Sequence, residues 1–273
     1  MFEPALNQRS SILSHILLAK SQNMKKVFNI ALLSLAYLCG FGQQNNLTLQ
    51  FWGSDGKRVG NEKKAKFVTT VQKINDTCWE HQIYQMKGPM IWSAQFKDKE
   101  GKVRHGRSSF MQTSGLLDST GYFANSIPHG EWRYFDNNGN LITKKNYVAG
   151  QVVSLWEIDQ PATTDTLLSE PDTRASFSGG PVEWQRYLIR NLRYPDYAKQ
   201  NKITGSVQVY FLVDETGQVR DNFVFRSADL TLDNEARRLI VESPKWIPAT
   251  KKGRNVTSYH QQGVHFQLEG SWK

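Results

Sequence analysis

Apolar and polar positions change their period twice along the chain. Between Leu47 and about Val153 helical spacing is scarce, and short strand-like runs are broken by turn signals, as in "FWGSDGKRV" (51–59), "FKDKEGKV" (96–103) and "YFDNNGNL" (134–141). Asp-Gly and Asn-Gly steps between such runs signal hairpins, because these residues tolerate positive φ. The glycines at 56, 101 and 139 are 45 and 38 residues apart, an irregular spacing that predicts stacked hairpins with insertions rather than a strict solenoid. After Trp156 the pattern dissolves into "DQPATTDTLLSEPDTRASFSGG", rich in proline, threonine, serine and acid, and a linker is expected over 158–178.

From Pro181 the spacing turns helical. Trp184, Leu188 and Leu192, with Ile189 beside them, read as one apolar face. Pro181 suits a first helical position. Pro195 disfavours helix at Tyr194, so the helix is expected to stop there, with a short second turn over Asp196–Lys202. "GSVQVYFLVDETGQVRDNFVFRS" reads as strand 206–213, a turn at Asp214–Gly217 and strand 218–226. The first of these strands is apolar on both phases, through Val207, Val209, Phe211 and Val213 and through Tyr210 and Leu212, as in a central strand covered on at least part of both faces. In "LTLDNEARRLIVESP", Ala236, Leu239, Ile240 and Ser243 share a helix face ended by Pro244. The last run alternates at Val264, Phe266 and Leu268, with Gly263 expected to form a bulge. The whole predicts an α+β protein: a small C-terminal antiparallel sheet with two helices over 179–270, preceded by a hairpin-rich β module over 43–157.

Charge changes this picture little. The chain carries a formal +9, but its excess is +3 in residues 1–42 (4 basic, 1 acidic), +4 in 43–160 (15 and 11) and +2 in 161–273 (15 and 13). Nucleic-acid readers gather such charge on one face, and no nucleic-acid partner is expected. Two cysteines exclude a disulfide framework. The N-terminus does change it: "MKKVFNIALLSLAYLCGFGQQ" from Met24 has the charged, apolar and small-residue order of an export signal. Residues 1–42 are read as this targeting segment, with Met24 as the true start. Cleavage after Gly42, lipidation at Cys39 and retention as an anchor all remain open. Gly40 and Gly42 favour the first, Leu38 argues against the second, and shortness against the third. A periplasmic or cell-envelope location follows.

Candidate chemistry is sparse. His81, His105 and His129 share no metal-ligand spacing. His260 and His265 fall on opposite faces of one strand unless Gly263 bulges. Asp214, Glu215, Asp233 and Glu235 read as solvated turn and helix-start acids. No nucleophile–base pair emerges, so no enzyme activity, cofactor or metal is expected.

Two resemblances carry further. "GEWRYFDNNGNLITKKNYVAGQ" (130–151) resembles MORN-like repeats, which implies a hairpin array serving as an interaction surface. Trp132, Tyr134 and Phe135 are more simply explained as core aromatics of a small sheet. "NLRYPDYAKQNKITGSVQVYFLVDETGQV", followed by "LDNEA", "PKWIPATKKGRNV" and a strand ending "FQL", is similar to the C-terminal domain of TonB-type energy transducers, especially Bacteroidetes-like versions. That resemblance spans about residues 175–270. It implies β-augmentation, in which an extended segment of a TonB-dependent outer-membrane transporter pairs with the last strand. The implied partner-binding positions are Tyr194, Pro195, Val256, Ser258, His260, Gln262, Val264 and Phe266, with the receiving edge at Val256–Leu268. Gly205 is expected to turn the chain into the central strand, and Trp246 and Pro248 to pack the second helix on the sheet. Inner-membrane proton-driven motor proteins are a further implied partner. The chain departs from the family in its cleavable-looking leader and in a linker stretch (159–180) whose 22 residues reach at most roughly 75 Å, so an envelope interaction protein that reuses the fold without transduction is the alternative.

Overall fold

A computed structural model describes residues 47–157 and 171–268. The leader and most of the linker lie outside the described residues. Residues 47–157 form one ten-stranded antiparallel sheet, in the order β10-β9-β8-β7-β6-β5-β4-β3-β1-β2. Its strands are β1 (Leu47–Trp52), β2 (Arg58–Val59), β3 (Phe67–Asn75), β4 (Cys78–Gln85), β5 (Met90–Phe96), β6 (Arg104–Met111), β7 (Leu117–Ala124), β8 (Ile127–Phe135), β9 (Leu141–Val148) and β10 (Gln151–Glu157). From β3 onward each strand pairs with the next, so the hairpins lie in a single meander. Gly56, Gly101 and Gly139 all take positive φ, as the turn sequences require. Trp132 is buried, its ring lies against Gly121 on the neighbouring strand, and its indole N–H donates to the Tyr122 carbonyl at 3.1 Å, so it is a core aromatic.

Residues 171–268 hold helices α1 (Gly180–Asn191), α2 (Asp196–Gln200) and α3 (Leu230–Val241) and strands β11 (Gly205–Val213), β12 (Val219–Arg226), β13 (Ala249–Lys251), β14 (Arg254–Val256) and β15 (Ser258–Phe266). The sheet order β12-β11-β15 makes β11 central, as its two-phase apolar pattern predicts. Val207, Val209, Phe211 and Val213 are buried with Leu232, Ala236, Leu239 and Ile240 of α3.

Helix α1 ends at Asn191, three residues short of the Tyr194 stop. Leu192 is already extended (ψ 125°), the Arg193 N–H donates to the Glu235 carboxylate at 2.7 Å, and Arg238 donates to the Asn191 carbonyl at 2.8 Å. Tertiary partners on α3 thus take up the chain before proline stops it. Ile189 is 82% exposed rather than on the buried face, because one step of about 100° from Leu188 carries it round to solvent. Within the compositional linker, residues 171–178 are packed: Ala175 and Phe177 are buried, and Thr173 and Ser176 bridge to Thr250 and Ile247.

The second phase of β11 explains the arrangement of the two sheets. Tyr210 stacks with Phe223 and lies tilted against Phe225, and Phe225 meets Phe135 of β8 edge-on at 5.3 Å. Asp221 lies by Tyr122 while Arg226 bridges to Leu116, so β12 runs antiparallel to β7 in an aligned sandwich. One apolar cluster includes Val68, Tyr84, Met90, Met111 and Leu117 together with the β11–α3 core.

Polar contacts seal this boundary. Asp233, fully buried, accepts from Ser227 Oγ (2.6 Å), the Ala228 N–H (3.0 Å) and Tyr84 Oη (3.2 Å). Ser227 Oγ in turn accepts from the Met90 N–H at 2.7 Å, and Arg237 pairs with Glu80 at 2.9 Å. The reading of Asp233 and Glu235 as solvated acids is therefore wrong: both are buried, because the first turn of α3 faces the meander on one side and the α1 C-terminus on the other. Asp214 is a turn acid as read, held down to about 2 by bonds from Thr216, Gln218 and Arg220.

Burial pushes the Asp233 carboxyl from 3.8 up to about 7, even though its hydrogen-bond donors pull the other way. The folded state then holds a proton that the unfolded chain has released. This contribution to stability is complete below pH 3.8 and is lost as pH rises through about 7. Urea midpoints at pH 5 and pH 8 should show lower stability at the higher pH, and Asp233→Asn should shrink that difference. An unchanged difference in the variant would assign the pH dependence to another group.

Candidate functional site

Strand β15 occupies an edge of its sheet. It pairs with β11 in unbroken register from Val213↔Ser258 to Gly205↔Phe266. The expected bulge at Gly263 is absent; the irregularities fall instead between β11 and β12, where Asp221 takes a positive φ of 44°. With no bulge, His260 and His265 do fall on opposite faces. His265 Nδ1 meets Ser206 Oγ at 2.7 Å, whereas the His260 ring lies between Phe211 and Trp246.

Even-numbered residues of β15 face the helices. Val264 and Phe266 are fully buried there, so any partner on this edge meets their main chain rather than their side chains. Ser258, His260 and Gln262 are half-buried on the same side. Burial pulls the His260 imidazole below its ordinary range, opposed by the bonds it makes to Gln262 and the Ala175 backbone. Val256 belongs not to β15 but to β14, where it pairs with Ala249. Thr257 separates the two strands, its hydroxyl donating to the Glu215 carboxylate at 2.7 Å.

Tyr194 reaches the far end of this strand. Its ring meets Phe266 edge-on at 5.7 Å and its hydroxyl donates to the Ile203 carbonyl at 2.5 Å. Pro195, half-buried, caps α2 with φ −62° and ψ 136°. The structure thus brings Tyr194 to Phe266, while Val256 and Ser258 lie at the opposite end of the edge. Tyr194→Phe keeps the ring and loses the hydrogen bond, so a loss of about 1 kcal/mol is expected in urea unfolding. A value near zero would show that the hydroxyl is equally well satisfied by water.

Gly205 opens β11 directly rather than sitting in a turn before it, and a Cβ there would come within 2.8 Å of Ala228 Cβ. Trp246 is buried against Trp184 of α1 and Phe211 of β11 and donates from its indole N–H to Ser243 Oγ, just past α3, at 2.9 Å, so it packs the first helix on the sheet as well as the end of the second. No group of three His, Cys, Asp or Glu able to hold a metal occurs among the described residues.

Sequence reasoning missed the charged cluster beneath β15. Arg107 of β6, 8% exposed, donates from Nε to Asp221 Oδ1 at 3.2 Å, forms an ion pair with Asp221 Oδ2, and reaches Tyr259 Oη at 3.1 Å. Tyr122 and Tyr259 hydroxyls also donate to Asp221, at 2.5 and 3.1 Å. The guanidinium lies 4.1 Å from the Phe223 ring centre. Burial and these donors oppose each other at Asp221, and the donors win, holding the carboxyl below its ordinary value. A bulge presents Asp221, and its partner lies 114 residues away. The only local signal was an arginine in phase with Ser109 and Met111 of an otherwise inward-facing row.

The family model for the Gram-negative bacterial TonB protein C-terminal matches residues 190–268. The match begins at the end of α1 and takes in β11, β12, α3 and β15; the ten-stranded meander lies outside it. No curated protein matches the chain. Among the described residues no helix is long and apolar enough to cross a membrane.

Proposed function

We propose that the C-terminal unit binds an extended segment of a TonB-dependent outer-membrane transporter by β-augmentation on β15, in the cell envelope, in support of energy-coupled transport. The observation that carries this reading is that, among the described residues, β15 pairs with β11 on one side only, within a stretch matched by the TonB C-terminal model. Alternate residues of an edge strand turn N–H and C=O groups outward, and a visiting strand satisfies them. The side chains of Val264 and Phe266, locked in the core, hold that edge straight, while Tyr194 closes its far end. The MORN-like meander serves as a second layer that fixes β12 and β15 in place.

Photo-crosslinking tests the reading. A benzoyl-phenylalanine placed at Gln261, an exposed residue of β15, should capture outer-membrane transporters carrying a plug domain from living cells. The same group at exposed Ile189 on α1 should not. Capture of transporters from both positions, or from neither, would overturn the assignment to this edge.

A further inference from the structure

The two layers run in step. Helix α3 lies over β4, through Asp233 on Tyr84 and Arg237 on Glu80. Strand β12 lies over β6 and β7, through Asp221 on Arg107 and Tyr122. Strand β15 reaches from β6 to β8: Arg107 donates to Tyr259 Oη at 3.1 Å, and the Arg133 guanidinium sits 4.9 Å from the Tyr259 ring centre. Extrapolated by the order of the meander, the progression sets β9 and β10 past β15 on the side of the edge that has no strand partner among the described residues. Neighbouring strands are about 4.8 Å apart, so a strand added to β15 lies as far beyond it as β9 lies beyond β8.

The side chains at that place are cationic. Lys144 of β9 stands directly opposite Arg133, and Trp156 of β10 directly opposite Lys144, so all three share the face turned toward β15. The Lys144 ammonium lies 5.6 Å from the Trp156 ring centre. A third cation comes from the packed segment before α1: Arg174 is exposed, and its charge acts, together with that of Arg133, on the Tyr210 hydroxyl of β11. Glu131 already holds Arg133 at 2.6 Å. Among the described residues neither Lys144 nor Arg174 has a carboxylate partner.

We propose that Lys144, Arg174 and Arg133 form a cationic site beside the Tyr259 end of β15, which receives a carboxylate side chain of the extended peptide paired on that strand. This rests on the edge-strand reading and adds to it that the meander selects among peptides. A visiting strand lies between the edge that pairs its main chain and a floor of Lys144 and Trp156 that reads its downward side chains. Partners with an aspartate or glutamate near one end of the paired segment are preferred over neutral ones.

Two fluorescein-labelled nine-residue peptides of alternating valine and threonine test this on the full chain, one with two aspartates near one end and the other with asparagines there. Two exposed ion pairs predict about fivefold tighter binding of the acidic peptide at low salt, with the preference fading at high ionic strength. The double variant Lys144→Glu, Arg174→Glu should lose the preference and keep its affinity for the neutral peptide, which also shows that it is folded. Equal binding of both peptides by the wild type, or a preference that survives in the variant, refutes the cationic site and leaves the edge reading standing. If neither peptide binds, the edge reading fails and the cationic site fails with it.

Discussion

Replacing Arg107 with leucine is expected to lower the unfolding free energy by about 3 kcal/mol, at the lower end for a broken buried ion pair because the Asp221 side chain keeps 30% of its surface in water. The cause is mainly what is left behind. Asp221 keeps the Tyr122 and Tyr259 hydroxyls but loses the only full positive charge in contact with it among the described residues. The loss also has a pH signature. Asp221 is held below 3.8, so its contribution is present above that value and disappears as pH falls through its lower folded value. Wild type and Arg107→Leu should therefore differ in stability at pH 7 and converge in acid. Urea melts at pH 7 and pH 3 measure both quantities. A constant difference across that range would mean that Arg107 acts by packing on Phe223 rather than by charge.

Gly115→Val is expected to be at least as damaging. Gly115 takes φ +83° in the β6–β7 turn, where a β-branched residue is strained by roughly 1–3 kcal/mol. A Cβ there would overlap the Ser227 carbonyl oxygen and come within 2.8 Å of Pro89 Cβ. The Gly115 carbonyl also accepts from the Ser227 N–H at 2.8 Å, so neither backbone can retreat without breaking that bond. Overpacking of this kind costs about 1–3 kcal/mol more. The sum is a large share of the stability of an ordinary folded unit. Thermal unfolding of Gly115→Val and of Gly115→Ala should rank both well below wild type, with valine lower. Limited proteolysis should then cut between the meander and the C-terminal unit. A variant with wild-type Tm would show that the turn and Ser227 can separate freely.

Much of this architecture was legible in the sequence wherever the signal was local. Asp-Gly and Asn-Gly turns placed the hairpin tips, and the two apolar phases of Val207–Val213 placed β11 at the centre of its sheet. Those signals reside in backbone preferences and side-chain alternation, which a short window contains. What failed to show was whatever depends on a distant partner. Asp233 looked like a helix-start acid because nothing near it announces that Tyr84, 149 residues earlier, donates to it. The α1 terminus moved back because Glu235 captures the Arg193 N–H. Gly263 looked like a bulge from its residue type alone, yet β11 supplies it with a partner, Gln208, in regular register. The last strand was legible from alternation at Val264 and Phe266, whereas its part as a receiving edge came only with the TonB resemblance; Val256 was not separable from it, because the break at Thr257 is set by a bond to Glu215 across the fold.

The central claim is that the outer side of β15 accepts a strand. Amide hydrogen exchange on the full chain, with and without a synthetic peptide copied from the N-terminal extension of an outer-membrane transporter of the same cell, tests it most directly. Slowed exchange at alternate amides from Ser258 to Phe266, with unchanged exchange in the exposed edge strand β10, is the predicted result. Unchanged exchange along β15 at saturating peptide, or protection confined to β10, would contradict it.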